Sequence, residues 1–185
     1  MKSVRAMSQA ELAAYVHSRL REEGIDVVLT GGAAVSIHTS NRYVSHEVDF
    51  VATGLASRAQ IKRAMERLGF QEVGRHYEHP DSKWFVVFPG GPPSVGMEPI
   101  THIEEMRFTT GTLRLLSATD CVKDRLSAYY HWHDRQSLQQ ACLVAADHAI
   151  DLVEVKRWSE VEGKRDEFAK IEHELLRSAP AGGAS

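Results

Sequence analysis

The period of apolar positions changes several times along the chain, and each change marks an element. Ser8-Gln9-Ala10-Glu11 has the Ser-x-x-Glu form of a capping box, and Leu12, Tyr15, Val16 and Leu20 follow at helical spacing until Gly24. Ile25 to Thr30 is a short apolar run that reads as a buried strand. Gly31-Gly32 breaks that run, Ala33 to His38 then predicts a short helix, and Asn41-Arg42-Tyr43 predicts a loop. From Ser45 to Val51 the pattern alternates: Val48 and Phe50 point into a core, while Glu47 and Asp49 share the opposite face. Two residues apart on a strand places them about 6.6 Å from each other along it.

Ser57 predicts the N-cap of a helix running through Leu68, with Ile61, Ala64, Met65 and Leu68 inward and Gly69 at its C′ position. Phe70 to His79 and Lys83 to Phe88 read as two antiparallel strands joined by a Pro80-Asp81-Ser82 turn. Pro89-Gly90-Gly91-Pro92-Pro93 is a loop, with short strands expected over Val95–Ile100 and Thr112–Leu116. After Ser117 the pattern is helical. Ser117 caps a helix to about Trp132, Asp134 caps a second to about His148, and Asp151 starts a third. Gly163 precedes a last helix with Phe168, Ile171 and Leu175 on one stripe. The expected architecture is α+β: a mixed sheet with flanking helices over 1–116, a helical part over 117–178, and a frayed tail over 179–185.

Composition narrows this only slightly. A chain of 185 residues with 43% hydrophobic and 25% charged residues reads as an ordinary globular protein of one domain, or one domain with a small lobe. A net charge of −3 gives no support for tight nonspecific binding to nucleic acid. No apolar run approaches the roughly 20 residues of a membrane span, and no apolar segment follows the basic start as in a secretory signal. Cys121 and Cys142 lie far apart in helical, apolar surroundings, as expected of reduced thiols in the cytoplasm.

The chemistry concentrates in residues 28–51. Glycine at positions 31 and 32 lets the backbone approach a phosphate without a Cβ in the way, and a helix N-terminus is a natural phosphate receptor. Two carboxylates converging beside such a turn suit a divalent metal carrying a phosphorylated nucleotide. The blander reading is a tight strand-to-helix connection beside an exposed polar strand face.

Leu29-Thr30-Gly31-Gly32 followed by Glu47-Val48-Asp49-Phe50 resembles the signature of the nucleotidyltransferase (polymerase-beta-like) superfamily. It is most similar to the small prokaryotic members of the abortive-infection and toxin–antitoxin type. In those an Arg and a Ser or Thr precede the acids, as Arg42 and Ser45 do here. The stretch from Leu116 to Leu126 is similar to that family's strand-to-helix junction. The resemblance implies transfer of NMP from an NTP to an RNA (tRNA included) or protein hydroxyl with Mg²⁺ or Mn²⁺. It implies Glu47 and Asp49 as metal ligands, and Gly31, Gly32, Ser45 and Arg42 at the triphosphate. Lys123, Arg125 and Arg135 are further candidates to neutralise phosphate charge, and a toxin–antitoxin partner protein is a further expectation.

Three departures stand out. The first acid is Glu where Asp is usual, and fourteen residues lie between Gly32 and Glu47, a long spacer. The strand expected to carry a third carboxylate, Lys83–Phe88, has Val87 where an acid is looked for, which leaves Glu98 as the nearest substitute and Asp81 as a turn residue. The alternative reading is therefore a catalytically impaired binding module, an antitoxin or a scaffold. His76/His79 and His131/His133 lack the spacing and the cysteines of a zinc site. In Tyr129–Gln136 the aromatics are expected to be packing, with Asp134 an N-cap.

Overall fold

The Ser8 hydroxyl accepts from the Glu11 amide while the Glu11 carboxylate accepts from the Ser8 amide, and this reciprocal cap starts the first α-helix. The computed structural model describes residues 2–178; the tail expected over 179–185 lies outside the described residues. In chain order the elements are α1 (Gln9–Glu22), β1 (Val27–Thr30), α2 (Gly31–His38), β2 (Glu47–Ala52), α3 (Arg58–Arg67), β3 (Gln71–Val73), β4 (His76–Glu78) and β5 (Phe85–Val87). There follow β6 (Ser94–Val95), β7 (Glu98–Pro99), β8 (Ile103–Phe108), β9 (Gly111–Leu116), α4 (Ala118–Trp132), α5 (Arg135–Asp147), α6 (Leu152–Val161) and α7 (Arg165–Ser178). The fold is α+β, with a mixed sheet and a helical C-terminal part.

Two units partition the chain. The first holds the residues up to Ala33, Ser45–Pro93 and Ile103–Leu115; the second holds Ala34–Val44, Ser94–His102 and the chain from Leu116 on. In the first unit seven strands form one sheet in the order β3-β4-β5-β2-β1-β9-β8. β2 pairs antiparallel with β1 (Leu29 opposite Phe50, Thr30 opposite Asp49) and parallel with β5 (Glu47 opposite Phe85, Asp49 opposite Val87). Its period of two buries Val48 and Phe50 completely, along with Val86 of β5 and Val28 and Leu29 of β1. Burying one such side chain contributes roughly 1.5–3 kcal/mol. α1 packs Leu12, Val16 and Leu20 inward, and its Ser18 hydroxyl takes the Thr112 amide at 2.8 Å, fixing the helix to β9.

In the second unit α4 and α5 are capped as their sequences predict, by Ser117 and Asp134. Their buried Leu126, Leu138 and Val144 pack with Phe168, Ile171 and Leu175 of α7 and Trp158 of α6. Tyr130 stacks on Trp158 with centroids 6.0 Å apart, and its hydroxyl meets that of Ser159 at 3.0 Å. Burial pushes the Tyr130 phenol up to about 12.

Four local expectations are corrected. Phe70–His79 is a hairpin of β3 and β4, turned at Gly74, whose φ of +61° the strand pattern did not reveal. Val95–Ile100 is likewise a two-stranded hairpin, β6 and β7, turned at Gly96. β8 was hidden by its polar run Glu104-Glu105, because an edge strand needs only one apolar face. Trp132, expected in the packing, is 80% exposed at the last turn of α4.

Gly96 has φ of +60°, and a Cβ on it would run into the buried Glu162 carboxylate, which accepts from the Met97 amide at 2.6 Å. Gly96→Ala is expected to lower stability by about 1–3 kcal/mol, read as a shift in the urea midpoint of the full chain. Gly163→Ala, also at positive φ but with nothing near its Cβ, is expected to cost less.

Candidate active site

The site is built where β1 ends. Gly31 opens α2 with φ of +65°, a conformation that a Cβ-bearing residue adopts only with strain. Antiparallel pairing sets Thr30 opposite Asp49, so the chain turns into α2 directly beside the Asp49 side chain. A Cβ on Gly31 would lie 2.6 Å from Asp49 Oδ2, so the carboxylate occupies the space a side chain would take. The Thr30 hydroxyl reaches the Asp49 carbonyl at 3.4 Å, a contact the sequence pattern did not single out. Small residues over Gly31-Gly32-Ala33-Ala34 keep the first turn of α2 narrow, and its N-terminal dipole favours the adjacent negative charge.

Glu47 and Asp49 lie on the same face of β2, Glu47 exposed and Asp49 half-buried. Just before them the Ser45 hydroxyl accepts from the Glu47 amide at 3.1 Å and donates to the Glu47 carbonyl at 3.0 Å. The Gln9 side chain holds the Ser45 carbonyl at 2.7 Å. Ser45 thus brackets the start of the acidic strand. On the far side of β2, Val87 is the registered neighbour of Asp49 and Phe85 that of Glu47, so this sheet face carries two acids flanked by apolar side chains.

The donor set fits a hard, oxygen-preferring cation such as Mg²⁺ or Mn²⁺ only in part. Two carboxylates on one strand face supply ligands and leave the remaining positions to phosphate oxygens and water. Among the described residues no group of three or more His, Cys, Asp or Glu side chains could hold a metal ion.

The other predicted residues belong to the second unit. Glu98 accepts a two-pronged hydrogen bond from Arg157, at 2.9 and 2.7 Å, and that guanidinium holds its carboxyl below the usual range. Lys123 is buried between Asp120 at 2.9 Å and Glu154 at 3.2 Å. Arg157 and Lys123 pull Glu154 down to about 2. A line of alternating charge therefore runs Asp120–Lys123–Glu154–Arg157–Glu98, of which Glu154 and Arg157 sit three apart on α6. Arg42 pairs with Asp147 at 2.7 Å and donates to the Leu143 carbonyl. Arg125 pairs with Asp124 at 2.5 Å, and Arg135 lies 3.7 Å from Glu174.

Gly31→Ala is expected to destabilise the chain by about 1–3 kcal/mol in urea unfolding, because strain and displacement of Asp49 act together. The depressed Glu154 contributes stability that is full above its ordinary value of 4.5 and lost as pH falls toward about 2. The melting temperature is expected to fall across that window, and less steeply in Arg157→Met, which removes the largest cause of the depression.

No protein-family model matches the chain, and no curated protein matches it by sequence. Solved structures do. The crystal structure of an antigenic nucleotidyltransferase-like protein from Paracoccidioides brasiliensis matches with a TM-score of 0.63 at 13% identity, over 92% of this chain and 93% of that one. The solution structure of the antibiotic-resistance factor ANT(2'')-Ia matches with a TM-score of 0.53 at 14% identity, over 91% of this chain and 97% of that one. ANT(2'')-Ia in crystalline complex with adenylyl-2''-tobramycin matches with a TM-score of 0.52 at 14% identity, over 90% and 99%. The chain has the nucleotidyltransferase-like fold.

Proposed function

We propose that the chain transfers a nucleotidyl group from a nucleoside triphosphate to a hydroxyl, using Mg²⁺ or Mn²⁺ held by Glu47 and Asp49. The observation that carries this reading is the seating of the Asp49 carboxylate against Gly31, at the first turn of α2, with Glu47 on the same strand face. Phosphate oxygens approach the first turn of α2 at the half-buried Gly32, where the helix N-terminus favours negative charge, with the Asp49 carboxylate seated beside Gly31. Ser45 fixes the backbone of Glu47, so that carboxylate leaves the strand from a defined point. When bound, the divalent ion supplies charge neutralisation on the triphosphate. The acceptor oxygen bonds to the α-phosphorus as the α–β bridging P–O bond breaks; pyrophosphate leaves and the hydroxyl proton passes to water.

The acceptor classes we favour are an RNA or a protein hydroxyl. The adenylyl-2''-tobramycin seen with ANT(2'')-Ia adds a tobramycin-like small molecule as a third. A second reading rests on Val87. An apolar residue in register with Asp49 removes the donor that a third carboxylate would give, which favours a nucleotidyltransferase-fold module that serves a partner, such as a toxin or its antitoxin, without turnover.

Labelled NTPs, Mg²⁺ or Mn²⁺, and tRNA, bacterial lysate protein or tobramycin form the test. Transfer is expected to one acceptor class, and Asp49→Asn is expected to reduce it about 100-fold or more with the fold intact by circular dichroism. Val87→Asp is expected to increase the thermal stabilisation given by Mg²⁺ with NTP. Absence of transfer to every acceptor, together with no Mg²⁺-NTP stabilisation of the wild type, would overturn the enzyme reading in favour of the module.

A further inference from the structure

The first unit contains a cavity of about 810 Å³ that the acidic site does not use. Its position follows from strand register. Glu72 lies opposite Tyr77, and Tyr77 opposite the buried Val86, so these side chains occupy the core face of the sheet rather than the face of Glu47 and Asp49. Ala52, the last residue of β2, lines the cavity from that core face, and Val87, the registered neighbour of Asp49, borders it from β5, while neither Glu47 nor Asp49 lines it. Ile61 of α3 and Phe88 complete an apolar floor, where Phe88 stacks on Phe50 and meets Tyr77 edge-on. The Pro89–Pro93 loop forms one wall.

The rim is charged and unevenly balanced. Glu72 is engaged by Arg58 at 2.7 Å and by Lys62 at 2.9 Å, so its charge is spent within the protein. Arg75 also lines the cavity, and among the described residues its guanidinium has no hydrogen-bond or ion-pair partner. An apolar, aromatic floor with one uncommitted guanidinium at its edge is complementary to a small molecule with an apolar ring and a single anionic group. The volume lies within the range of pockets that enclose such ligands, about 300–1,000 Å³.

We propose that this cavity is a binding site for a small aromatic organic anion, whose ring rests on Tyr77 and Phe88 and whose charged group is received by Arg75. The site is lined by neither Glu47 nor Asp49 and needs no metal.

The test uses the full chain and the fluorescent anion 1-anilinonaphthalene-8-sulfonate, with benzoate and phenyl phosphate as competitors that separate a carboxylate from a phosphate head. Saturable binding near one per chain is expected, about 10-fold weaker in Arg75→Met. Arg75 is exposed, so this variant is expected to keep the wild-type melting temperature. Ala56→Trp, which fills the cavity from its edge, is expected to abolish binding. Competition by at least one of the two anions supports the site and names its head group. Equal binding by the wild type and both variants would place the probe elsewhere and overturn the proposal, as would failure of both anions to compete. Neither result bears on the Asp49→Asn assay, so this site and the transfer reaction fail separately.

Discussion

β2 is the strand on which the first unit is hung. It is the shared neighbour of β1 and β5, so one alternation decides which residues face the core and which face the acidic side. A slip of one residue would bury Glu47 and Asp49 and expose Val48 and Phe50. Burying two carboxylates costs far more than burying a polar amide, which makes the register self-enforcing. The contact between Gly31 and Asp49 depends on the same register, because only with Thr30 opposite Asp49 does α2 begin beside that carboxylate. Packing therefore fixes the chemistry: the apolar half of β2 holds the strand in place, and the polar half is delivered to one spot.

In the second unit the order is set by charge as well as by packing. Lys123 is almost fully buried, and a buried ammonium stands only where opposite charge meets it, as Asp120 and Glu154 do. Arg157 then serves two carboxylates, Glu154 and Glu98, and so ties β7 to α6. For Lys123 to neutralise a phosphate it would have to leave two carboxylates or share their field, which weakens it as a phosphate ligand. The same holds for Glu98 as a metal ligand, because both its oxygens already accept from Arg157. Exposed pairs such as Arg135 with Glu174 contribute little by comparison and are easily exchanged.

Legibility in the sequence followed the range of the interactions. Features set within a few residues were readable: the Ser8 capping box, the caps at Ser57, Ser117 and Asp134, and the period of two at Glu47–Phe50. The turns at Gly74 and Gly96 were missed because a single glycine inside an apolar-rich stretch looks the same whether the strand continues or doubles back; only the register of β3 with β4 and of β6 with β7 decides it. The Asp120–Glu154 and Arg157–Glu98 links join residues more than 30 positions apart through Lys123 and α6, so no local pattern encodes them. That the acidic strand would meet the glycine turn was legible, while the cavity under Phe88 was not, since it arises from strands and a helix that the sequence presents separately.

Val87 is where sheet stability and the proposed metal chemistry pull apart. Neighbouring strands lie about 4.8 Å apart, so an acid at this position would stand beside Asp49 with Glu47 close on the same face. Three carboxylates this near repel unless a divalent ion neutralises them. Valine removes that repulsion and adds apolar packing, so the sheet is complete without metal. For the proposed transfer, affinity for a divalent ion would then come largely from the triphosphate. In the proposed transfer the triphosphate oxygens would take the position that Val87 does not fill, so metal and nucleotide would bind as one unit. In the proposed function, coupling between metal and nucleotide would stand in for the third acid.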